Sequence, residues 1–217
     1  MAKSISEIIR ARASHTKYLY CIMDKPNLQL IIGPSGCGKT HHLLNTIIEQ
    51  EYRQHFDYII ILAPTIHINK TYMDWKYVSG KDVILVETKP EYLDVLLQYI
   101  IKMYTGVKTA IIVDDMSNST EQHANNSNLS YLAYSGRHHN ISLFIVSQKL
   151  NSISTGVRQN CTRLIFFKTH NRQSINILKD ELFGLLDKDQ DKELLNKLSN
   201  GNYLDIKLSP QASYTVK

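Results

Sequence analysis

The sequence predicts an α/β fold, a mostly parallel central sheet with helices on both faces, and three observations carry that prediction. Short apolar runs rich in β-branched residues recur at 28–32, 58–63, 83–87, 109–113, 141–146 and 162–168, each of strand length and bounded by turn residues. Most are apolar at successive positions rather than alternate ones, as in Ile111-Ile112-Val113, which suits strands buried on both faces. The segments between them are long enough for a helix, and regular alternation of the two elements is the mark of a parallel sheet.

The elements follow in order. Residues 1–27 read as an N-terminal helical extension and 28–217 as one domain, with no linker-like stretch dividing it. The run at 28–32 leads through a Gly-rich turn into a helix over 40–55. A second helix over 90–104 carries Pro90 in its first turn, where a missing N–H costs nothing. The polar stretch 117–128 precedes a helix ending near Arg137, and 172–186 reads as another. Gly201 turns the chain into a last strand over 203–208. The segment 67–81 interleaves Lys70, Lys76 and Lys81 with Tyr72, Trp75 and Tyr77. That pattern suits a loop touching a nucleic-acid backbone, or equally a helix packing its aromatics inward.

Composition narrows the function classes. With 217 residues, 43% of them apolar, the chain can bury a substantial core and is not of the disordered class. No apolar run approaches the roughly 20 residues of a membrane-spanning helix, and the N-terminus mixes charge with Ile where a secretion signal needs a continuous apolar stretch. A soluble, cytoplasmic setting is expected. Cys21, Cys37 and Cys161 are odd in number and lack metal-ligand spacing, so they read as reduced thiols. The net charge of +5 is local: 137–172 holds Arg137, Lys149, Arg158, Arg163, Lys168 and Arg172 with no Asp or Glu, leaving −1 on the rest of the chain. Phosphates are natural partners of such a stretch, although acids elsewhere, such as those in 180–193, can pair with some of these charges.

The chemistry sits in three motifs. Gly33-Pro34-Ser35-Gly36-Cys37-Gly38-Lys39-Thr40 satisfies the phosphate-loop pattern between a strand and a helix. Glycines let backbone N–H groups converge on phosphate oxygens, Lys39 reaches the β- and γ-phosphates, and the Thr40 hydroxyl ligates Mg²⁺. The run 109–113 ends in Asp114 and Asp115, carboxylates at the end of a strand where open α/β sheets bind ligands. Asp114 is expected to hold Mg²⁺ through its water shell and Asp115 to activate the attacking water. The run 141–146 ends in Ser147-Gln148, making Gln148 a candidate γ-phosphate sensor. The chain reads Ser147-Gln148-Lys149-Leu150 where a guanine-specific enzyme carries Asn-Lys-x-Asp, so ATP is the expected nucleotide.

In this order, GPSGCGKT, TAIIVDD, SGRHHNISLFIVSQ, and TGVRQN followed by TRLIFFK, the motifs resemble the genome-packaging ATPases of large double-stranded DNA viruses, poxvirus-type, within the FtsK–HerA superfamily. The resemblance spans about residues 28–208. It implies a RecA-like P-loop fold, a homo-oligomeric ring of five or six subunits, and ATP hydrolysis that drives double-stranded DNA into a preformed capsid. Capsid or portal-vertex proteins would then be partners, and the host cell's assembly site and the virion the setting. One departure stands out: many members of the superfamily carry Glu where this chain has Asp115. Rings of this type complete each site with an arginine from the neighbouring subunit, and Arg137 and Arg158 both fit, Arg137 slightly better. Two other readings stay open on sequence alone. One is a nucleoside-type kinase with Arg158, Arg163 and Arg172 as its lid, the other a nucleotide-dependent switch with little turnover.

Overall fold

Strand β1 (Leu28–Ile32) is buried along its whole length, its four apolar residues serving the core and its one polar residue, Gln29, donating to the Tyr52 hydroxyl oxygen at 2.8 Å. It lies inside an eight-stranded sheet of order β3-β2-β4-β5-β1-β6-β7-β8. The computed structural model describes residues 26–52, 55–79, 82–116, 127–183, 188–198, 202–208 and 212–217. The extension expected over 1–27 falls almost entirely outside them, as do Cys21 and most of the polar stretch before Asn128.

The remaining strands are β2 (Tyr58–Ala63), β3 (Asp82–Glu87), β4 (Thr109–Asp114), β5 (Ile141–Ser147), β6 (Arg163–Phe167), β7 (Tyr203–Lys207) and β8 (Ser213–Val216). β1 to β6 pair in parallel, and β7 and β8 close the β6 side with antiparallel pairings. Between them run α1 (Lys39–His41, continued in the wider π form over His42–Glu51), α2 (Lys70–Ser79), α3 (Leu93–Tyr104), α4 (Asn128–His139), α5 (Thr155–Gln159), α6 (Arg172–Ile177, continued as a π segment over Leu178–Leu182) and α7 (Lys188–Lys197).

The two faces of the sheet are covered by different helices. On one, Leu43, Leu44, Ile47 and Ile48 of α1 and Tyr72 and Trp75 of α2 pack on Ala110, Ile112, Phe144 and Val146. On the other, Leu93 and Leu97 of α3, Leu129 and Leu132 of α4, Val157 of α5 and Leu178 of α6 pack on Ile111, Val113, Leu143 and Ile145. Adjacent residues of one strand thus serve opposite cores, the period of two that a strand imposes.

Within the segment 67–81, the described side chains of Tyr72 and Trp75 follow the inward-packing helix. Within α2, Tyr72 and Trp75 are 1% and 4% exposed, so neither ring is available to stack on a base.

The basic stretch is contiguous in sequence and scattered in space. Arg163 is buried and donates to Glu51 and, through Nε at 2.8 Å, to Asp205, whose other oxygen accepts from Lys217 at 2.8 Å. Arg158 pairs with Glu181. The exposed members, Lys149, Lys168 and Arg172, lie just past the carboxyl ends of β5 and β6, whereas exposed Arg137 lies before the start of β5.

The Arg163 network gives a pH signature. Burial opposes ionisation of Asp205, but the hydrogen bond and charge of Arg163 prevail and lower its pKa from 3.8 to about 2. A carboxylate with a depressed folded pKa contributes stability that is complete above its unfolded value and lost as pH falls through the folded one. Asp205→Asn should therefore cost on the order of 2 kcal/mol at neutral pH, and the deficit should shrink as pH falls from about 4 to about 2. Thermal melts of parent and variant across that range are the measurement. A deficit independent of pH would assign Asp205 a packing role alone.

Candidate active site

The phosphate loop begins where β1 ends. Gly33 donates its N–H to the Ser147 carbonyl at 3.2 Å, anchoring the loop to the end of β5. A Cβ at Gly33 would stand 2.6 Å from Phe167 Cβ and 2.7 Å from Cys37 Sγ, so only glycine fits there. Pro34, Ser35, Gly36 and Gly38 are exposed and line the open side of the loop. Gly38 takes φ +92° as it turns into α1, a left-handed conformation that glycine adopts without strain. Lys39 folds back, its Nζ donating to the Pro34 carbonyl at 2.9 Å. Burial pushes the Cys37 thiol up despite the nearby Lys39 charge, which fits a small side chain tolerated by the loop better than a reactive nucleophile.

The sheet order explains how the acids reach this loop. β5 lies between β1 and β4, in parallel register with both, so the ends of three strands converge on one edge. Asp114, the last residue of β4, points to the face of Ala110 and Ile112, the side covered by α1 and α2. Thr40 of α1 donates its hydroxyl to Asp114 Oδ2 at 2.9 Å. Asp114 is 6% exposed, and burial raises its pKa, opposed by hydrogen bonds from Tyr72 and Thr40. The Thr40 hydroxyl and Asp114 carboxylate form a hard oxygen pair beside a phosphate loop, a donor set that fits Mg²⁺.

Asp115 follows with φ +53°. Among residues with side chains, Asp enters this left-handed region far more readily than most, so the backbone conformation suits an Asp at this position. Its N–H donates to the Val146 carbonyl at 3.2 Å. Gln148, just past β5, donates its Nε2 to Asp115 Oδ1 at 3.0 Å. The structure thus joins the sensor candidate to the base candidate, and the metal-side Thr to the metal-side Asp.

One member of the cluster belongs to no phosphate-site motif. The Tyr72 hydroxyl of α2 donates to Asp114 Oδ2, the same oxygen that accepts from Thr40. Burial and the Asp114 charge keep this phenol protonated far beyond neutral pH. Tyr72 lies 42 residues before Asp114 and outside every phosphate-site motif; its one sequence signal was the helical spacing to Trp75.

The two arginine candidates differ. Arg158 does not stand free: it is 6% exposed, donates to both Glu181 oxygens at 2.8 and 2.6 Å and to Thr155 Oγ1 at 3.0 Å, and also donates to the Ile153 carbonyl. Reaching a neighbour's phosphate would leave Glu181 without its partner, so Arg158 reads as a structural arginine tying α5 to α6. Arg137 is exposed on the last turn of α4 and lines a shallow cleft with Pro26, Asn27, Asn160 and Thr162.

The family model described as Poxvirus A32 protein matches residues 14–199. The chain belongs to this family. No curated protein sequence matches it. Among solved structures, the genome packaging NTPase B204 of Sulfolobus turreted icosahedral virus 2, in complex with AMPPCP, matches with TM-score 0.69 at 15% identity, over 88% of this chain and 96% of that one. B204 from Sulfolobus turreted icosahedral virus, described as a DNA-packaging ATPase, matches with TM-score 0.66 at 15% identity, over 88% and 97%. The conjugation coupling protein TcpA of pCW3, with ATPγS, matches with TM-score 0.56 at 16% identity, over 88% and 60%. These likenesses establish the fold of the family member, an α/β NTPase fold. Among the described residues, no helix is long and apolar enough to cross a membrane.

Proposed function

We propose that the chain is an ATP-hydrolysing motor that drives double-stranded DNA into a viral capsid. The observation that carries this is the convergence, on one edge of the sheet, of a phosphate loop with the Thr40–Asp114 and Gln148–Asp115 pairs. Membership of the poxvirus family and the likeness to genome-packaging NTPases supply the substrate class.

Each residue then has a task. The loop N–H groups and Lys39 bind the triphosphate and hold the γ-phosphate toward β4 and β5. Thr40 and Asp114 would hold Mg²⁺, which supplies charge neutralisation on the phosphates. Asp115 orients a water and accepts its proton, and Gln148, bonded to Asp115, links that carboxylate to the end of β5. A homomeric ring, pentamer or hexamer, places an arginine of one subunit against the site of the next, and capsid or portal-vertex proteins receive the ring.

DNA contact falls to exposed Lys149, Lys168 and Arg172, with Lys70 on α2. The kinase reading loses support because two of its three lid arginines, Arg158 and Arg163, are themselves buried and held in ion pairs.

The test is ATPase activity with and without duplex DNA. Stimulation should be insensitive to sequence, since a packaging motor must traverse a whole genome. Binding should weaken with salt, each neutralised phosphate contributing about −0.9 to the log–log slope. Lys149→Ala should make that slope shallower by about one phosphate. Absence of stimulation, together with phosphate transfer to a nucleoside, would return the kinase reading.

A further inference from the structure

Tyr72 occupies a position that the motifs of a phosphate-binding enzyme do not require. It sits on α2, whose start lies close to the outside of the molecule: Ile68 just ahead of it is 82% exposed, and Lys70 and Asp74 are exposed. Yet its side chain is buried in the core shared with α1 and ends on Asp114. The reason is geometric. Strand periodicity sends Asp114 to the face shared by α1 and α2, so one helix supplies Thr40 and the other supplies Tyr72 to the same carboxylate oxygen. Two donors on Oδ2 fix the carboxylate plane and compensate its burial, so a displacement of α2 alters one of the two bonds that aim it.

We propose that Tyr72 is a positioning residue for the nucleotide site, its hydroxyl fixing Asp114 toward Thr40 and tying helix α2, with its exposed outer end, to the state of that carboxylate. This rests on the reading of Asp114 as the metal-side acid. It adds to that reading a mechanical connection from the molecular surface through Tyr72 to Asp114.

The chain contains its own reporter of this connection. Trp75, the one tryptophan in the sequence, lies one turn beyond Tyr72, is 4% exposed, and has no hydrogen-bond partner for its indole N–H among the described residues. Its emission is therefore the probe chosen for shifts of α2.

The experiment uses the full chain with ATPγS, in EDTA and across a Mg²⁺ titration, reading nucleotide affinity and Trp75 emission together. In the parent, Mg²⁺ with ATPγS should change the emission. In Tyr72→Phe, which keeps the ring and its packing, affinity in EDTA should stay within about twofold of the parent. Half-saturating Mg²⁺ should rise about tenfold, the loss expected for a hydrogen bond to a charged group. The emission change should fall by more than half, and kcat should fall while KM for ATP stays close to the parent value. Asp114→Asn serves as the reference and should lose the Mg²⁺ dependence of binding altogether. If Asp114→Asn loses it while Tyr72→Phe keeps both the parent's Mg²⁺ midpoint and its emission change, the role of Tyr72 is refuted and the metal-side reading of Asp114 stands. A parent whose emission ignores Mg²⁺ and nucleotide at saturation refutes the connection through α2 without any variant. An Asp114→Asn variant with unaltered Mg²⁺ dependence refutes the reading of the site and this proposal with it.

Discussion

Asp115→Asn should retain nucleotide binding and lose turnover by about 10²- to 10⁴-fold, the range for removing a positioned general base. The substitution isolates the chemistry because of where Asp115 sits. Asn tolerates the left-handed backbone at φ +53° as well as Asp does, and its amide oxygen can still accept the Gln148 hydrogen bond that now ends on Oδ1 at 3.0 Å. The substitution removes the carboxylate's charge and basicity while keeping the side chain's size and shape. Alanine would lose the hydrogen bond and Glu would strain the backbone, so either would mix structural and chemical effects. Lys39→Ala is the contrasting variant, expected to lose tight nucleotide binding because its ammonium is the loop's one side-chain cation. Binding by fluorescent nucleotide titration and phosphate release in the same preparations separate the two. Native hydrolysis by Asp115→Asn would place the base elsewhere.

The parts of this site legible in the sequence are those fixed by local chemistry. A phosphate loop needs its glycines, Lys39 and Thr40 in one short stretch, and a strand that ends in acids announces both its burial and its carboxyl end. The six apolar runs became six parallel strands because strands covered on both faces, as all but the edge strand β3 are, leave a largely apolar signature. β8 escaped notice because Ser213–Val216 is a partly exposed edge strand whose residues alternate in exposure and carry little apolar signal. α7 escaped because a helix that reads Lys-Asp-Gln-Asp-Lys-Glu before its first Leu offers the core only a narrow stripe. What the sequence could not give is which charges meet. Arg163 finds Glu51 112 residues away, and Tyr72 finds Asp114 across a crossover, partners chosen by the sheet order and not by spacing. In the 137–172 stretch the sequence leaves open whether the charges face phosphates or pair with acids such as those in 180–193; Arg158 does pair with Glu181 of that cluster, whereas the partners of Arg163, Glu51 and Asp205, lie outside it.

Arg137 is the arginine whose loss should be rescued by a neighbour. It precedes β5, whereas Gln148 follows that strand, and seven residues of strand at about 3.3 Å each separate the two by roughly 20 Å. Arg137 therefore lies too far away to serve its own phosphate loop, and in the proposed ring it would act on another subunit's site. It is exposed, and no hydrogen bond or ion pair engages it among the described residues, the opposite of Arg158. A finger supplied in this way is worth about 10³ to 10⁵ in rate, so Arg137→Ala should be nearly inactive while its own loop still binds nucleotide. Lys39→Ala should be inactive for the complementary reason. In a head-to-tail ring assembled from equal amounts of the two, about a quarter of interfaces pair an intact loop with an intact arginine, and activity should return toward that fraction of the parent. Specific activity of the parent should also rise with protein concentration as rings assemble. A mixture that co-assembles yet stays as inactive as its parents would remove Arg137 from the site. Full activity in a strictly monomeric preparation would reject a shared site, because no arginine of the same chain at that distance could then be contributing to it.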